Sequence, residues 1–263
     1  MKRNGTTTFF IHRVGRMKIP YAFLLTAFAA GQISAAEITV SAAASLKDAF
    51  NDIITHYHKQ YPQSKIKLNT AGSGVLLQQA VRGAPVDVLA FADEVTMNQA
   101  QQKNVIEAGS RKTFAHNALV IAAPKSSRYA VNQLGDLQSR HFGRIAVSNP
   151  ASVPAGRYSK ASLEKAGLWA GLQPKIITTQ NVRQSLDYIA RGEVDAGFVY
   201  RTDAVLMKGK VKILATVPTP SAVSYPIAVS KSTKQAAEAK RFVQYVLSAQ
   251  GQAVLNRYGF RKP

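Results

Sequence analysis

Four short stretches of this chain place small, neutral hydrogen-bond donors where a strand gives way to a helix. They are Ala43-Ala44-Ser45, Gly72-Ser73-Gly74, Val153-Pro154-Ala155-Gly156 and Gln180-Asn181-Val182. The start of a helix exposes backbone N–H groups and carries a fractional positive charge, so each stretch is a potential anion site. If these four stretches met in one cleft, they could together bind a multivalent oxyanion without any charged side chain.

Each of these features also has an ordinary structural explanation. Ser45 suits the N-cap of a following helix. Pro154 suits an early helical position, where its missing N–H costs nothing. Tyr200 ends an apolar strand at the edge where open α/β sheets bind ligands, yet a buried tyrosine more often serves packing. The hypothesis of an anion site therefore depends on these residues meeting in one cleft of the folded protein.

Short apolar runs and segments of helical periodicity alternate along the chain, which predicts an α/β fold with mostly parallel sheets covered by helices. The predicted strands are 38–43, 65–68, 86–92, 144–147, 175–179 and 195–200, and the predicted helices are 46–58, 75–81, 155–166 and 182–191.

Two apolar strands, 117–123 and 224–230, interrupt this alternation. We interpret them as crossover strands between two lobes. The first lobe would combine residues 37–117 with 223–263, and the second would be 118–222. The alternative is one continuous sheet in which both are ordinary core strands.

Residues 1–36 have the pattern of a cleaved signal peptide: basic residues, an apolar run from Tyr21, and small residues before Glu37. Met17 is an alternative start. A retained membrane span needs ~20 apolar residues, and Gly31 and Gln32 interrupt this run. We expect a periplasmic protein. The chain has no cysteine, which excludes disulfides, thiolate metal sites and a cysteine lipid anchor.

The formal net charge is +20, and loss of residues 1–36, with five basic and no acidic residues, lowers it to +15. The basic residues are scattered and not interleaved with aromatic ones, so we expect no nucleic-acid partner. A basic surface that attracts anions at long range fits better.

Five motifs and the C-terminal Arg257-Tyr-Gly-Phe260 together resemble the periplasmic molybdate-binding proteins of bacterial ABC importers, in the order of that family. The motifs are Ala42-Ala-Ala-Ser45-Leu, Gly83-Ala-Pro-Val-Asp-Val88, Phe91-Ala-Asp93, Val153-Pro-Ala-Gly156 and Gly192-Glu-Val-Asp-Ala-Gly-Phe-Val-Tyr200.

The resemblance implies a type II periplasmic-binding-protein fold, capture of molybdate or tungstate, and delivery to a membrane permease. It also implies a monomer with no enzymatic activity and no cofactor. The ligand contacts it implies are Ser45, Ser73, Ala155, Val182 and Tyr200. The chain departs from the family's pattern at Gly74, where a hydroxyl residue is common, and at Phe91, where a serine is common.

Four helix starts of roughly half a charge each supply about +2, which matches a dianion. Since every proposed contact is a donor, the site should favour fully ionised oxyanions over hydrogen phosphate. Sulfate stays an alternative to molybdate, and so do amino acids and sugars.

A serine hydrolase is a distant alternative. Ser73 lacks the Gly-x-Ser-x-Gly pattern of a nucleophile elbow, because Ala71 and Val75 stand where that pattern has its outer glycines. His56 and His58 diverge on a helix, so no side-chain metal site is expected.

Overall fold

The computed structural model describes residues 1–10 and 36–263. The apolar run of the predicted signal peptide, and Met17, lie outside the described residues. None of the helices that the structure describes is long and apolar enough to cross a membrane.

Ten strands and nine α-helices form residues 36–263. The strands are β1 Glu37–Ala43, β2 Lys65–Ala71, β3 Val88–Ala90, β4 Lys112–Asn117, β5 Leu119–Pro124, β6 Ile145–Ser148, β7 Ile176–Thr179, β8 Ala196–Tyr200, β9 Val211–Thr216 and β10 Val223–Val229. The helices are α1 Lys47–Gln60, α2 Ser73–Val81, α3 Glu94–Gln102, α4 Pro154–Lys165, α5 Trp169–Leu172, α6 Val182–Ala190, α7 Arg201–Leu206, α8 Ala236–Leu247 and α9 Ala249–Arg257.

The strands form two five-stranded sheets. The first has the order β2-β1-β3-β10-β4, and the second has the order β7-β6-β8-β5-β9. We call the part of the chain built on each sheet the first and the second lobe. The first sheet thus takes its strands from both ends of residues 36–263, and the second takes them from the middle.

Each sheet contains one strand that runs against the others. In the first sheet β10 is antiparallel to both β3 and β4, and in the second β5 is antiparallel to both β8 and β9. The remaining strands of each sheet share one direction, as expected for mostly parallel sheets. These two reversed strands coincide with the strands predicted at 117–123 and 224–230. Their role as crossovers and the lobe boundaries stay predictions.

Helices cover both sheets because their apolar faces match the sheet surface. On α1 the spacing of Phe50, Ile53 and Tyr57 puts all three on one side, and none of them is exposed. Phe50 and Tyr57 both pack edge-on against Phe242 of α8. This packing holds the N-terminal end of α1 at the carboxyl end of β1, where the parallel strands of the first sheet end.

Candidate binding site

The carboxyl ends of strands from both sheets surround one small cavity. Its volume is about 10 Å³. That is close to the ~10–15 Å³ that holds one water molecule and far below the ~300 Å³ typical of pockets for organic ligands. The cavity therefore suits a compact ion, and it does not suit an amino acid or a sugar.

All five sequence-predicted contacts line this cavity. The complete lining is Ala43, Ala44, Ser45, Ala71, Gly72, Ser73, Ala92, Val153, Pro154, Ala155, Asn181, Val182 and Tyr200. Every one of these residues is neutral, and the only titratable side chain among them is the tyrosine. The structure thus brings together the four predicted helix starts, three of which begin an α-helix and one a 3₁₀ turn.

Ser45 lies in a 3₁₀ turn, Ala44–Leu46, between β1 and α1. Its hydroxyl caps no helix, contrary to the simpler explanation of its position, because α1 begins two residues later at Lys47. The Ser45 Oγ atom instead lies 3.0 Å from the Tyr225 hydroxyl. The residue is 2% exposed, so its hydroxyl belongs to the cavity wall.

Ser73 is the first residue of α2, directly after the extended residue Gly72. Its Oγ atom accepts a hydrogen bond from the Ala92 backbone N–H at 3.1 Å, and the residue is fully buried. Since the amide can only donate, this contact leaves the serine proton for another acceptor. Ser73 therefore presents a donor to the cavity.

Gly74 brings the two lobes into backbone contact beside the cavity. Its N–H donates to the carbonyl oxygen of Ser152 at 2.8 Å. A Cβ atom at this position would lie 2.7 Å from that oxygen and 3.0 Å from Ser152 Cα. The departure from the hydroxyl residue common in the resembling family thus has a steric reason, because a side chain would push Ser152 away.

Phe91, the second departure, does not line the cavity. It is fully buried in a small apolar cluster between α2 and α3, with Leu76, Leu77 and Met97. The phenyl ring packs behind the cavity rather than into it.

The second lobe supplies two backbone N–H groups. Pro154 opens α4, and the amide of the next residue, Ala155, has no acceptor within residues 36–263. On α6 the side chain of Asn181 accepts from the amides of Arg183 and Gln184, at 3.0 and 3.1 Å. This N-cap leaves the Val182 N–H without an acceptor in the described part of the chain.

Tyr200 completes the wall from the end of β8. It is 1% exposed, and its hydroxyl has no hydrogen-bond partner among the residues that the structure describes. Burial raises the pKa of this phenol well above its usual value, so it keeps its proton at neutral pH. An unpaired buried hydroxyl costs ~1–3 kcal/mol, and a ligand oxygen that accepts its proton would remove that cost.

Arginines do lie near the cavity, but carboxylates neutralise them. The guanidinium of Arg183 is 2.7 Å from Asp48 and 2.7 Å from the fully buried Asp203. Arg157 lies 2.7 Å from the buried Asp93 and donates to Thr96 Oγ1 at 2.6 Å. Asp48 and Asp93 belong to the first lobe and both arginines to the second, so these pairs join the lobes.

The partners of the two serines and the spacing of the acidic and histidine side chains can be read directly from the structure. Ser45 and Ser73 contact a phenol and a backbone amide rather than a histidine. Within residues 1–10 and 36–263, no three His, Asp or Glu side chains are grouped to hold a metal ion. The geometry is that of a binding site made of hydrogen-bond donors.

Sequence reasoning missed the groups behind the wall: Tyr225, Asn117, and the two arginines with their carboxylates. A tyrosine inside the apolar strand β10 was a usable signal, since a buried phenol normally needs a partner. The ion pairs had no signal along the chain, because Arg157 and Asp93 are 64 residues apart.

Residues 38–261 match the family model of bacterial extracellular solute-binding proteins. The chain belongs to this family. Its two five-stranded sheets with covering helices are the two-lobe α/β architecture, type II, that the sequence predicts, and the family consists of binding proteins, which are not enzymes.

Proteins of named function are among the relatives. The molybdate-binding protein ModA of Escherichia coli is 38% identical over 230 residues, covering 85% of this chain and 88% of the relative. ModA of Haemophilus influenzae is 32% identical over 92% of this chain and 97% of its own length. The solved periplasmic molybdate-binding protein of Azotobacter vinelandii has a TM-score of 0.76 at 24% identity, covering 86% of this chain and 99% of that one, a likeness of fold.

Proposed function

We propose that this protein captures molybdate, and also tungstate, between its two lobes and delivers it to the membrane permease of an ABC importer. The oxyanion would accept hydrogen bonds from the hydroxyls of Ser45, Ser73 and Tyr200 and from the backbone amides of Ala155 and Val182. The observation that carries this proposal is a compact cavity lined by neutral groups whose free polar hydrogens come from both lobes. The similarity to ModA proteins, which bind molybdate, supports molybdate as the ligand.

Charge balance supports a dianion. Three α-helix starts, together with the 3₁₀ turn that leads into α1, contribute about half a positive charge each, which sums to about +2. The nearby guanidinium groups of Arg157 and Arg183 are compensated by carboxylates. The ligand's charge would then be balanced by backbone dipoles rather than by an ion pair.

Protonation should decide which oxyanions enter. Each of the five proposed contacts can donate, and a hydroxyl that accepted a ligand proton would leave its own proton without an acceptor, at a cost of ~1–3 kcal/mol. Molybdate, tungstate and sulfate carry no proton at neutral pH, whereas hydrogen phosphate does. Sulfate is the alternative ligand, and it differs from molybdate chiefly in size.

Binding would bring the lobes together. We place the first lobe at residues 37–117 and 223–263 and the second at 118–222, with β5 and β10 next to the two connections. Because donors come from both lobes, a bound anion favours the closed arrangement. Small-angle scattering should therefore give a smaller radius of gyration with molybdate than without it. An unchanged radius at proven saturation would contradict a hinge between these lobes.

We further infer a periplasmic monomer, exported with a signal peptide that is removed before Glu37. Intact mass and N-terminal sequencing of the protein from a periplasmic extract test the cleavage site. A mature N-terminus other than Glu37 would contradict it.

Calorimetric titration with a panel of ligands tests the function. We expect strong binding of molybdate and tungstate and negligible binding of hydrogen phosphate, amino acids and sugars. A ligand at ~1,000 times its Kd adds about 4 kcal/mol of stability, so the same ligands should raise the melting temperature by several degrees. Tighter binding of sulfate than of molybdate would replace the proposed ligand, and equal binding of phosphate would refute the donor-only site.

A further inference from the structure

A chain of hydrogen bonds runs behind Ser45, beginning at Asn117. This asparagine ends β4 and is 5% exposed. Its Oδ1 atom accepts from the Ala118 backbone N–H at 2.8 Å. Since a backbone amide can only donate, this contact orients the side-chain amide and turns its NH₂ group the other way.

The NH₂ group of Asn117 reaches two hydroxyls. Nδ2 donates to Thr202 Oγ1 at 2.9 Å and to the Tyr225 hydroxyl oxygen at 3.3 Å. The ring of Tyr225 is fully buried, with edge-on neighbours Phe114 and Phe260 at centroid distances of 6.3 and 5.3 Å. The phenol oxygen is therefore an acceptor held in a fixed place.

The proton of Tyr225 then has one destination. Of the residues that the structure describes, the phenol contacts Asn117, which donates to it, and Ser45, whose Oγ lies 3.0 Å away. Burial raises the pKa of Tyr225 well above its usual value, so the phenol stays protonated. It donates to Ser45 Oγ, and the serine's own proton is left to point into the cavity.

We propose that Tyr225 is a positioning and specificity-determining residue, which fixes Ser45 as a hydrogen-bond donor and thereby disfavours the binding of protonated oxyanions. This inference rests on the proposed function. A serine hydroxyl can normally donate and accept at once. Here one of its two lone pairs accepts from Tyr225, and this contact directs the serine proton toward the ligand.

Ser73 is also held as a hydrogen-bond donor, in this case because the Ala92 backbone amide donates to its Oγ atom. Both serines therefore face the ligand as donors, one set by a backbone group and the other by a side chain. Only the second can be changed by mutation, which makes the device testable at Tyr225.

Tyr225→Phe removes the phenol and keeps the ring. We expect molybdate affinity to fall about five-fold, the equivalent of one neutral hydrogen bond, because Ser45 becomes free to rotate. Hydrogen phosphate should lose no affinity or gain some, since Ser45 Oγ can now accept its proton. The affinity ratio of molybdate to phosphate should fall by at least the same factor. Tyr57→Phe is the matched control, because Tyr57 is equally buried and its hydroxyl bonds Glu238 instead.

Double-mutant cycles separate positioning from packing. If Tyr225 acts through Ser45, Tyr225→Phe has no further effect on molybdate affinity in a Ser45→Ala background and keeps its full effect in a Ser73→Ala background. Equal losses in both backgrounds, with an unchanged ratio of molybdate to phosphate, would show that the phenol only supports packing and would overturn the inference. Wild-type protein that binds no tetrahedral oxyanion would instead overturn the proposed function.

Asn117→Asp is the second variant, should Tyr225→Phe not fold. An aspartate oxygen in place of Nδ2 accepts the Tyr225 proton and turns it away from Ser45, so that Ser45 is free to donate to the phenol and is no longer fixed as a donor to the cavity. The added negative charge weakens binding of any anion whether or not Ser45 is present. We therefore expect Asn117→Asp to reduce molybdate affinity less in a Ser45→Ala background than in the wild type, because only the part that acts through the Tyr225 proton needs Ser45. Equal losses of affinity in the two backgrounds would overturn the inference.

Discussion

The wall of the cavity and the ion pairs just outside it use opposite kinds of groups. The wall presents hydroxyls and backbone amides, all neutral. Immediately behind it, Arg157 and Arg183 of the second lobe pair with Asp93 and Asp48 of the first. Charge is thus concentrated where the lobes meet and is kept out of the place where the ligand would bind.

This separation has a physical reason. Unpaired arginines in the wall would attract any anion, protonated or not, and would repel one another when the ligand leaves. Neutral donors discriminate by the number and direction of hydrogen bonds. Paired charges at the lobe contact stabilise the closed arrangement and add little net charge to the cavity.

The largest effect on binding is expected from the wall. Ser73→Ala removes a donor to a charged ligand, which is worth about 1.5–3 kcal/mol of binding free energy. Tyr200→Phe should fall in the same range. Isothermal titration measures both. Ser110→Ala is the control, because Ser110 also accepts from a backbone amide, that of Val229 at 2.8 Å, and lies away from the cavity. Normal molybdate affinity in both wall variants would contradict the proposed contacts.

Gly74→Ala tests the close approach of the lobes. The added methyl would lie 2.7 Å from the Ser152 oxygen, and crowding of this kind costs roughly 1–3 kcal/mol. We expect that cost to appear as weaker anion binding, because only the closed arrangement is crowded. Gly135→Ala is the control, since its Cβ would meet nothing within 4 Å. An unchanged affinity in Gly74→Ala would mean that ligand binding does not need this contact.

A smaller effect is expected from the ion pairs. Arg157→Gln combined with Asp93→Asn removes this pair without leaving the buried carboxylate unpaired, and we expect anion affinity to fall by about 1 kcal/mol or less. Small-angle scattering of the ligand-free variant should show a larger radius of gyration than wild type. Loss of all binding in this double variant, with Ser73→Ala normal, would mean that an ion pair holds the ligand and that the helix-start mechanism is wrong.

The smallest effect on binding is expected at Asp203, whose influence is on stability. Burial raises the pKa of this carboxyl from 3.8 to about 6, although Arg183 lowers it. The folded protein therefore binds this proton more tightly than the unfolded chain does. The resulting stabilisation is full below about pH 4 and is lost as the pH rises through about 6.

Denaturant unfolding at several pH values measures this contribution. The wild-type unfolding free energy should contain a component that falls between pH 4 and 6, and Asp203→Asn should lack it. Parallel pH profiles for the two proteins would contradict the raised pKa.

Much of the fold could be predicted from the sequence. Apolar runs followed by helical periodicity placed eight of the ten strands and four of the nine α-helices of residues 36–263, and the breaks at 117–123 and 224–230 marked the two reversed strands. The strands β4 and β9 and the helices α3, α5, α7, α8 and α9 were not predicted. The predicted ends of strands and helices differ by a few residues from the observed ends, because local sequence preference and tertiary packing both act on the residues at an element's end. The strand predicted at 86–92 is paired only over Val88–Ala90, and the helix predicted from residue 46 begins at Lys47 after a 3₁₀ turn.

The sequence by itself determined where donors are available. Gly72 before Ser73, Pro154 before Ala155 and Asn181 before Val182 each start a helix through local backbone preferences, which depend only on neighbouring residues. The tertiary structure alone decided that these starts meet in one cavity, that Gly74 must lack a side chain, and that Tyr225 turns the Ser45 proton toward the ligand. Those outcomes depend on contacts between residues far apart in the chain, such as Ser45 and Tyr225 at a separation of 180, for which local patterning carries no signal.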